Sequence, residues 1–164
     1  MIRKGKIDDI EGIIGIFEAA VIDMEAEGIY QWDSIYPNVE VIANDIREGN
    51  LYVWDDESVV KGLIVLNEDE EEEYKTVKWQ FNSGKHLVIH RLCVHPQYKG
   101  RGIAKLLITF GEQLAKENKY EAIRLDAFIP NERACRMYEN AGYAKIGIVT
   151  FRKGKFNCYE KGLN

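Results

Sequence analysis

The sequence predicts a single α+β domain over residues 1–164, in which helices flank a central, mixed and mostly antiparallel β-sheet. Three observations predict it. The chain has 164 residues, of which 46% are hydrophobic. That length is enough for one domain with a hydrophobic core and too short for two such domains. The apolar residues recur at helical spacing in some segments and alternate or run together in others. A strand, helix and strand in succession favour parallel neighbours, whereas hairpins give antiparallel ones.

The N-terminal part of the chain predicts strands around two amphipathic helices. Apolar residues at helical spacing from Ile10 to Met24 indicate the first helix, and Gly28 is placed to end it. Apolar residues between Val41 and Ile46 indicate a second, shorter helix. In chain order we expect a strand at 2–4, a helix at 8–27, an aromatic-rich loop at 29–37, a helix ending at Gly49, and strands at 51–54 and 59–66 joined by a turn at 55–58.

The C-terminal part predicts the central strand and two strand–helix units. Six consecutive acids at 68–73 predict a solvated loop, and alternation at Val77, Trp79 and Phe81 indicates a short extra strand. Asn131 is well placed to cap a helix. The other elements are the central strand at 86–94, a helix with Ile103, Leu106, Leu107, Phe110 and Leu114 on its apolar face, a strand at 121–128, a helix from Asn131 to Gly142, and strands at 143–151 and 156–160 that form a hairpin across 153–155. Without the extra strand the order is β-α-α-β-β-β-α-β-α-β-β.

Composition narrows the class of protein. The formal charge of −5 disfavours generic nucleic-acid binding. Cys93, Cys135 and Cys158 have no metal-type or redox spacing and lie in apolar elements, which predicts buried free thiols in a reducing compartment. The N-terminus has no apolar signal region, and two glutamates interrupt the apolar run at 10–21. We therefore expect a cytoplasmic protein with no nucleic-acid partner and no membrane span.

The stretch His90–Lys105, HRLCVHPQYKGRGIAK, joins a strand to a helix in a way that suits a phosphate. Pro96 ends the strand, and the first N–H groups of the following helix have no partner within it. The helix dipole adds partial positive charge there, and Gly100 and Gly102 let an anion approach the backbone closely. Basic side chains at the same end are Lys99, Arg101 and Lys105. A tight turn with solvated basic side chains is the alternative.

Two segments of the chain resemble the GNAT superfamily of acyl-CoA-dependent N-acyltransferases. Gln97–Gly102, QYKGRG, matches the family's [QR]-x-x-G-x-[GA] signature. Arg124–Tyr143 resembles its other recurring segment, in which a strand is followed by Asn131 at a helix start, by Tyr138 and by a Gly-Tyr pair. The resemblance covers the chain well from Leu51 onward. It implies the GNAT fold, with the same order of elements and a sheet that splays at the central strand.

The resemblance implies acetyl-CoA as the cosubstrate. The pantetheine arm would pair with the backbone of Leu92–Val94, and the pyrophosphate would lie on the N–H groups of Tyr98–Ala104. The residues assigned to this binding site are Leu92, Cys93, Val94, Gln97, Tyr98, Lys99, Gly100, Arg101, Gly102, Ile103, Ala104, Lys105, Asn131, Ala134 and Tyr138. No metal is expected, because His86 and His90 would lie about 13 Å apart at ~3.3 Å per strand residue, too far to share a zinc ion with ~2 Å bonds.

Acetyl transfer to an amine also sets requirements for catalysis. The amine must lose a proton, since alkyl ammonium groups have pKa values of ~10. The oxyanion and the leaving thiolate need stabilisation. The resemblance assigns the Val94 N–H to the oxyanion and Tyr138 to the general acid, while Cys93 is expected to be a structural thiol. His90, which titrates in the right range, is the first candidate for the base. The alternatives are Glu25, Asp33, Asp126 and a chain of water molecules.

The acceptor is predicted to be a primary amine on a small molecule or a peptide. In the GNAT fold the connection between the first two helices contributes to the acceptor site, and here it places Tyr30 and Trp32 beside Asp33. Aromatic rings beside an acid suit a cationic amine, although packing of Trp32 over the core is the alternative. A homodimer is left open. Two other functions remain: a non-catalytic acyl-CoA-binding or sensing module, and an interaction domain with a coincidental turn.

Overall fold

The computed structural model describes residues 1–163, so Asn164 lies outside the described residues. The strands are β1 (Ile2–Lys4), β2 (Leu51–Asp56), β3 (Val59–Asn67), β4 (His86–Val94), β5 (Ala122–Phe128), β6 (Ala144–Phe151) and β7 (Gly154–Gly162). The α-helices are α1 (Ile10–Ala26), α2 (Val39–Arg47), α3 (Ile103–Glu117) and α4 (Glu132–Asn140). Short 3-10 turns lie at Ile7–Asp9, Glu72–Thr76 and Pro96–Tyr98. This order of strands and α-helices confirms the predicted one.

The strands form a seven-stranded mixed sheet in the order β1-β2-β3-β4-β5-β7-β6. The pairs β1–β2, β2–β3, β5–β7 and β6–β7 are antiparallel, and β4–β5 is parallel. The pairing of β4 with β5 covers His86–Val88 and Ala122–Arg124 and then stops, although both strands continue. The predicted mixed sheet, open at its central strand, is confirmed.

The chain packs as two compact units, and the first comprises Met1–Leu66 with His90–Gly111. It holds β1 to β3, the second half of β4 and the two N-terminal α-helices. Gly62 lets β3 lie close to β4, since a Cβ there would be 3.2 Å from the Cys93 carbonyl oxygen. The buried core of this unit consists of Ile13, Ile16, Phe17, Ala20, Ile42, Ile46, Leu51, Val53, Leu63, Val65 and Cys93.

The second unit comprises Asn67–Ile89 with the described part of Glu112–Asn164. Because side chains alternate along a strand and Arg124 pairs in register with Glu160, both project from one face of β5 and β7. Asp126 projects from the same face. The covering segment, residues 68–82, contacts this face, and the Trp79 ring lies 4.5 Å from the Arg124 guanidinium carbon. On the opposite face α4 contacts β7 through a Tyr159–Glu139 hydrogen bond of 2.6 Å.

Three local predictions were wrong. Val77–Phe81 is not a strand: Trp79 is buried within the covering segment, and its indole N–H donates to the Tyr74 carbonyl oxygen at 2.9 Å. Leu106 is 45% exposed, because α3 buries Leu107 and Ile108 instead. The closing hairpin turns one residue earlier, since Phe151 already pairs with Gly154. The acids at 68–73 are largely exposed, as predicted, and Glu70 also forms an ion pair of 2.8 Å with Arg124.

Candidate active site

A row of backbone N–H groups without acceptors lies between β4 and α3. From Gly100 to Lys105 no backbone N–H donates to an acceptor within residues 1–163, and the first intrahelical bond runs from the Leu106 N–H to the Gly102 carbonyl oxygen at 3.0 Å. Such unsatisfied groups at a helix start carry partial positive charge. This loop can therefore supply hydrogen-bond donors to an anion.

The two glycines of the loop leave its surface open. Gly100 and Gly102 have φ values of 76° and 79°, a left-handed conformation that glycine adopts without strain. A Cβ built at either position would meet no atom within 4 Å. The space above the N–H groups is therefore empty of protein atoms, and a pyrophosphate can approach the backbone there.

Some of the N–H groups and basic side chains predicted to bind the pyrophosphate already have partners within the protein, and others do not. The N–H groups of Gln97, Tyr98 and Lys99 are used within the turn, by His95 Nδ1 and by the carbonyl oxygens of His95 and Pro96. The Lys99 ammonium pairs with Asp23 on α1. In contrast, Arg101 and Lys105 are exposed and have no carboxylate partner within residues 1–163. The groups available to an anion therefore start at Gly100, later than the predicted Tyr98.

Strand β4 carries the predicted oxyanion donor and the predicted base. Val94 ends the strand, and Leu92 and His90 lie half-buried on it. Cys93 is buried, and burial raises the pKa of its thiol to about 12. A thiol with that pKa is not a nucleophile at neutral pH, as the sequence predicts.

Sequence reasoning missed the role of Arg91 in this strand. Arg91 has φ 48° in the middle of β4, and its guanidinium binds both carboxylate oxygens of the buried Asp45, at 2.7 and 2.8 Å. A third bond of 2.7 Å reaches the hydroxyl of Tyr36. Arg91 thus ties α2 and the loop before it to the irregular point of β4. The pairing joins residues 46 positions apart in the chain, and no local pattern signals it.

The predicted acceptor residues have different surroundings. Tyr30 is 57% exposed. Trp32 packs edge-on against Phe17, with ring centroids 5.2 Å apart, which favours the core-packing alternative. The Asp33 carboxylate accepts from the N–H groups of Ile35 and Tyr36 at 3.0 and 3.2 Å. Of the three, Tyr30 is therefore the side chain most available to a ligand.

The second unit carries the predicted α4 residues. The Asn131 side chain accepts from the Ala134 N–H at 3.2 Å, so it caps α4 as predicted. Ala134 lies half-buried on the first turn of that helix. Both residues are on the side of the sheet that α4 covers.

Tyr138 differs from the other buried tyrosines of this unit. The hydroxyls of Tyr74, Tyr143 and Tyr159 each donate to a carboxylate, at 2.6, 2.9 and 2.6 Å. The Tyr138 side chain is buried to the same degree, yet its hydroxyl has no hydrogen-bond partner within residues 1–163 and is not sealed from solvent. Burial, with the nearby Asp126 and Cys135, raises the pKa of Tyr138 above its usual value of 10. The phenol is therefore protonated and has a proton to donate.

Comparison with known proteins assigns these features to a family. The profile of the Acetyltransferase (GNAT) family matches residues 18–143, which include both the glycine loop and Tyr138. The chain belongs to the GNAT family. No curated protein sequence matches this GNAT chain.

Solved structures share the whole fold of this acetyltransferase. A presumed acetyltransferase from Staphylococcus aureus Mu50 is 30% identical, over 100% of this chain and 99% of that one, with a TM-score of 0.81. A GNAT-family acetyltransferase from Streptococcus agalactiae 2603 is 24% identical over 99% and 94%, with a TM-score of 0.86. The PaiA N-acetyltransferase from Thermoplasma acidophilum, solved with coenzyme A, is 20% identical over 99% and 98%, with a TM-score of 0.75. The last two likenesses establish the fold.

The residues of this GNAT enzyme fit the phosphate part of coenzyme A. The fit depends on the backbone N–H groups of Gly100 to Lys105, which have no acceptor among residues 1–163, and on the open space at both glycines. It also depends on the positive charges of Arg101 and Lys105, which have no carboxylate partner in the same range. Two further findings concern residues 1–163. No helix there is long and apolar enough to cross a membrane, and no three His, Cys, Asp or Glu side chains there are grouped to hold a metal ion.

Proposed function

We propose that this GNAT enzyme transfers the acetyl group of acetyl-CoA directly to a primary amine in a ternary complex. The observation that carries the proposal is the hydroxyl of Tyr138, which has no hydrogen-bond partner among residues 1–163. The other buried tyrosines of the same unit each bind a carboxylate. A buried phenol kept protonated can give its proton to a leaving thiolate. A module that only binds acyl-CoA has no need of such a group.

The other roles follow the same assignment. The N–H groups from Gly100 to Lys105 bind the pyrophosphate, and the backbone of Leu92–Val94 pairs with the pantetheine arm. The Val94 N–H stabilises the oxyanion. Asn131 and Ala134, at the start of α4, contact the pantetheine. His90 stays the sequence-based prediction for the base.

The protonated thiol of Cys93, the only cysteine on β4, supports direct transfer of the acetyl group. The Cys93 thiol, with a pKa of about 12, supplies no thiolate for a covalent acetyl intermediate. The acceptor nitrogen itself therefore attacks the acetyl carbon. We place the acceptor among small-molecule and peptide amines, with Tyr30 as a contact, and the cellular location as cytoplasmic.

Calorimetric titration with acetyl-CoA tests the first part of the proposal. We expect micromolar binding, about −8 kcal/mol. Dephospho-CoA keeps the pyrophosphate and should retain most of the affinity, whereas acetyl-pantetheine lacks it and should bind far more weakly. Absence of acetyl-CoA binding would overturn the proposal. Binding without thiol release, over a panel of amines, would favour the sensing module instead.

Tyr138→Phe tests the catalytic part. We expect kcat to fall by roughly 100-fold or more, the range for a lost general acid, with acetyl-CoA affinity nearly unchanged. The free energy of unfolding should change little, because the Tyr138 hydroxyl loses no hydrogen bond to any residue of the described part of the chain.

Tyr159→Phe is the matched control, since its hydroxyl donates to Glu139 at 2.6 Å. Its removal takes one bond from Glu139, which is exposed and can bind water instead, and one acceptor from Asn157. It should cost about 1 kcal/mol of stability, with kcat largely kept. An unchanged kcat in Tyr138→Phe, with chemistry limiting the rate, would remove the general-acid role.

A further inference from the structure

Strand β5 is buried along its length except at one position. Its seven residues are all buried apart from Asp126, which keeps an intermediate exposure. The pairing of β5 with β4 has ended two residues earlier, at Arg124. Asp126 thus places a carboxylate at the one position of the strand that is not buried, two residues beyond the end of the β4 pairing.

The two oxygens of this carboxylate have different surroundings. Oδ2 accepts a 2.6 Å hydrogen bond from the hydroxyl of Tyr74, a side chain that is only 2% exposed. Oδ1 accepts no hydrogen bond within residues 1–163 and is not sealed from solvent. Tyr74 therefore fixes the orientation of the carboxylate, and Oδ1 keeps its lone pairs for a further donor and some exposure to solvent.

Burial and neighbouring charges give Asp126 a higher pKa than is usual for an aspartate side chain. Burial raises the pKa of Asp126 to about 6; the Tyr74 hydrogen bond lowers it, and Glu71 and Glu73 of the covering segment raise it. Cys158 on β7 lies in register with Asp126, and the charge of Asp126 raises the pKa of its thiol. The same charge also acts across the sheet on Tyr138 of α4, whose pKa it raises. At neutral pH an ionised carboxylate and a protonated phenol thus lie within electrostatic range of each other, as a base and an acid do in an active site.

We propose that Asp126 is the base that takes the proton of the acceptor ammonium, and that Tyr74 is its positioning residue. This rests on the proposed function and deepens it: the enzyme binds its acceptor as the ammonium form, at Oδ1 of Asp126. The sequence left Asp126 as one of several alternatives and did not indicate Tyr74, which lies 52 residues away in the chain.

The protons balance as follows. The ammonium gives one proton to Asp126, which later releases it to solvent. The neutral nitrogen forms a bond to the acetyl carbon as the carbon–sulfur bond breaks. The nitrogen loses its second proton, and the thiolate gains one from the Tyr138 hydroxyl, which is then reprotonated. One proton is released to solvent in each turnover.

The test is the pH dependence of kcat/KM with an amine that the wild-type enzyme acetylates. With Asp126 as base the ammonium is the bound form, so kcat/KM should be level above about pH 6 and fall below it. Asp126→Asn, which still accepts from Tyr74, should lower kcat/KM at pH 7 by roughly 100-fold or more. Its profile should lose the level region and rise continuously toward the pKa of the amine, ~10.

Two variants with opposite effects distinguish a catalytic carboxylate from a structural one. Tyr74→Phe removes a bond that lowers the Asp126 pKa, so the break in the profile should move to higher pH. Glu73→Gln removes a charge that raises this pKa, so the break should move to lower pH, with activity at pH 8 kept. Calorimetry with acetyl-CoA confirms in each case that the protein is folded and binds its cosubstrate.

The outcomes separate this inference from the proposed function. If wild-type enzyme acetylates an amine while Asp126→Asn keeps both its rate and its break near pH 6, the assignment to Asp126 is wrong and His90 becomes the base. A break that stays in place in both Tyr74→Phe and Glu73→Gln would also overturn it. If wild-type enzyme acetylates no amine at all, the proposed function fails, and the assignment of Asp126 fails with it.

Discussion

Gly102 illustrates how one residue can serve both the backbone and the ligand. Its φ of 79° lies in the left-handed region, and a Cβ there would point into empty space. Gly28, at the end of α1, has nearly the same φ, 77°, and the same open surroundings. The two positions impose the same backbone demand, but only Gly102 lies among the free N–H groups.

Gly102→Asp should therefore abolish acetyl-CoA binding. A carboxylate about 4 Å from a phosphate charge costs roughly 4 kcal/mol at an effective dielectric constant of 20, which is more than a 100-fold loss of affinity. Gly28→Asp is the matched control: it should lose about as much stability, about 1 kcal/mol for the left-handed backbone, and bind acetyl-CoA normally. Calorimetry and urea unfolding measure the two quantities, and equal affinities of both variants would mean that the pyrophosphate binds elsewhere.

At the scale of elements, one buried ion pair joins α2 to β4, in addition to the apolar cluster that Ile42, Ile46 and Cys93 share. Asp45 is 5% exposed and accepts two hydrogen bonds from Arg91. Removing one partner of a buried pair leaves the other charge uncompensated, which usually costs more than the pair itself contributes.

We expect Asp45→Ala to lower the free energy of unfolding by about 3 kcal/mol. Glu48→Ala is the control, because Glu48 is an exposed carboxylate at the end of the same helix and should change stability by less than about 0.5 kcal/mol. Urea unfolding measures both. A loss below about 1 kcal/mol in Asp45→Ala would show that the pair adds little to the fold.

Elements with a strong local period were predictable from the sequence, and those formed by distant contacts were not. The bounds of β4 were predicted to the residue because turn and proline signals enclose it. The alternation at Val77–Phe81 suggested a strand, but these residues cover β5 and β7 through Trp79 instead of joining the sheet. Leu106 was wrongly assigned to the buried face of α3. That face includes the small residues Gly111 and Ala115, which a pattern of large apolar residues does not reveal.

For the molecule as a whole, Asp126 is expected to reduce stability at neutral pH. The pKa of Asp126 in the folded protein, about 6, lies above the usual value of 3.8 for an aspartate side chain. Its contribution to stability is therefore fully present below about pH 4 and is lost as pH rises through 6.

Asp126→Asn should consequently be more stable than the wild-type protein at pH 8, by about 1–2 kcal/mol after allowance for partial exposure, and the difference should shrink by pH 4.5. Urea unfolding at both pH values tests this. Other carboxyls, such as Asp9 beside Arg3, have lowered pKa values. They titrate in the same way in the wild-type protein and in the variant, so their contributions cancel in the difference between the two free energies of unfolding. A variant that is less stable at pH 8 would contradict the pKa assignment.

The site was predictable only where it follows a local pattern. The glycine loop and the cap at Asn131 lie in short contiguous motifs, so their residues could be named from the sequence. The availability of the Tyr138 hydroxyl could not, since it depends on which neighbouring tyrosines find carboxylates. The Tyr74–Asp126 pair likewise brings together a covering segment and a strand that no spacing rule connects.

The left-handed residue in the middle of β4 also restricts how this position can change by mutation. Glycine at position 91 would adopt the left-handed backbone without strain but would lose the hydrogen bonds to Asp45 and Tyr36. Lysine would keep the positive charge, but its ammonium lacks the forked geometry that binds both carboxylate oxygens. No single substitution satisfies both demands. The irregularity of the central strand is therefore tied to arginine itself, and a change there would have to be accompanied by a second change in α2.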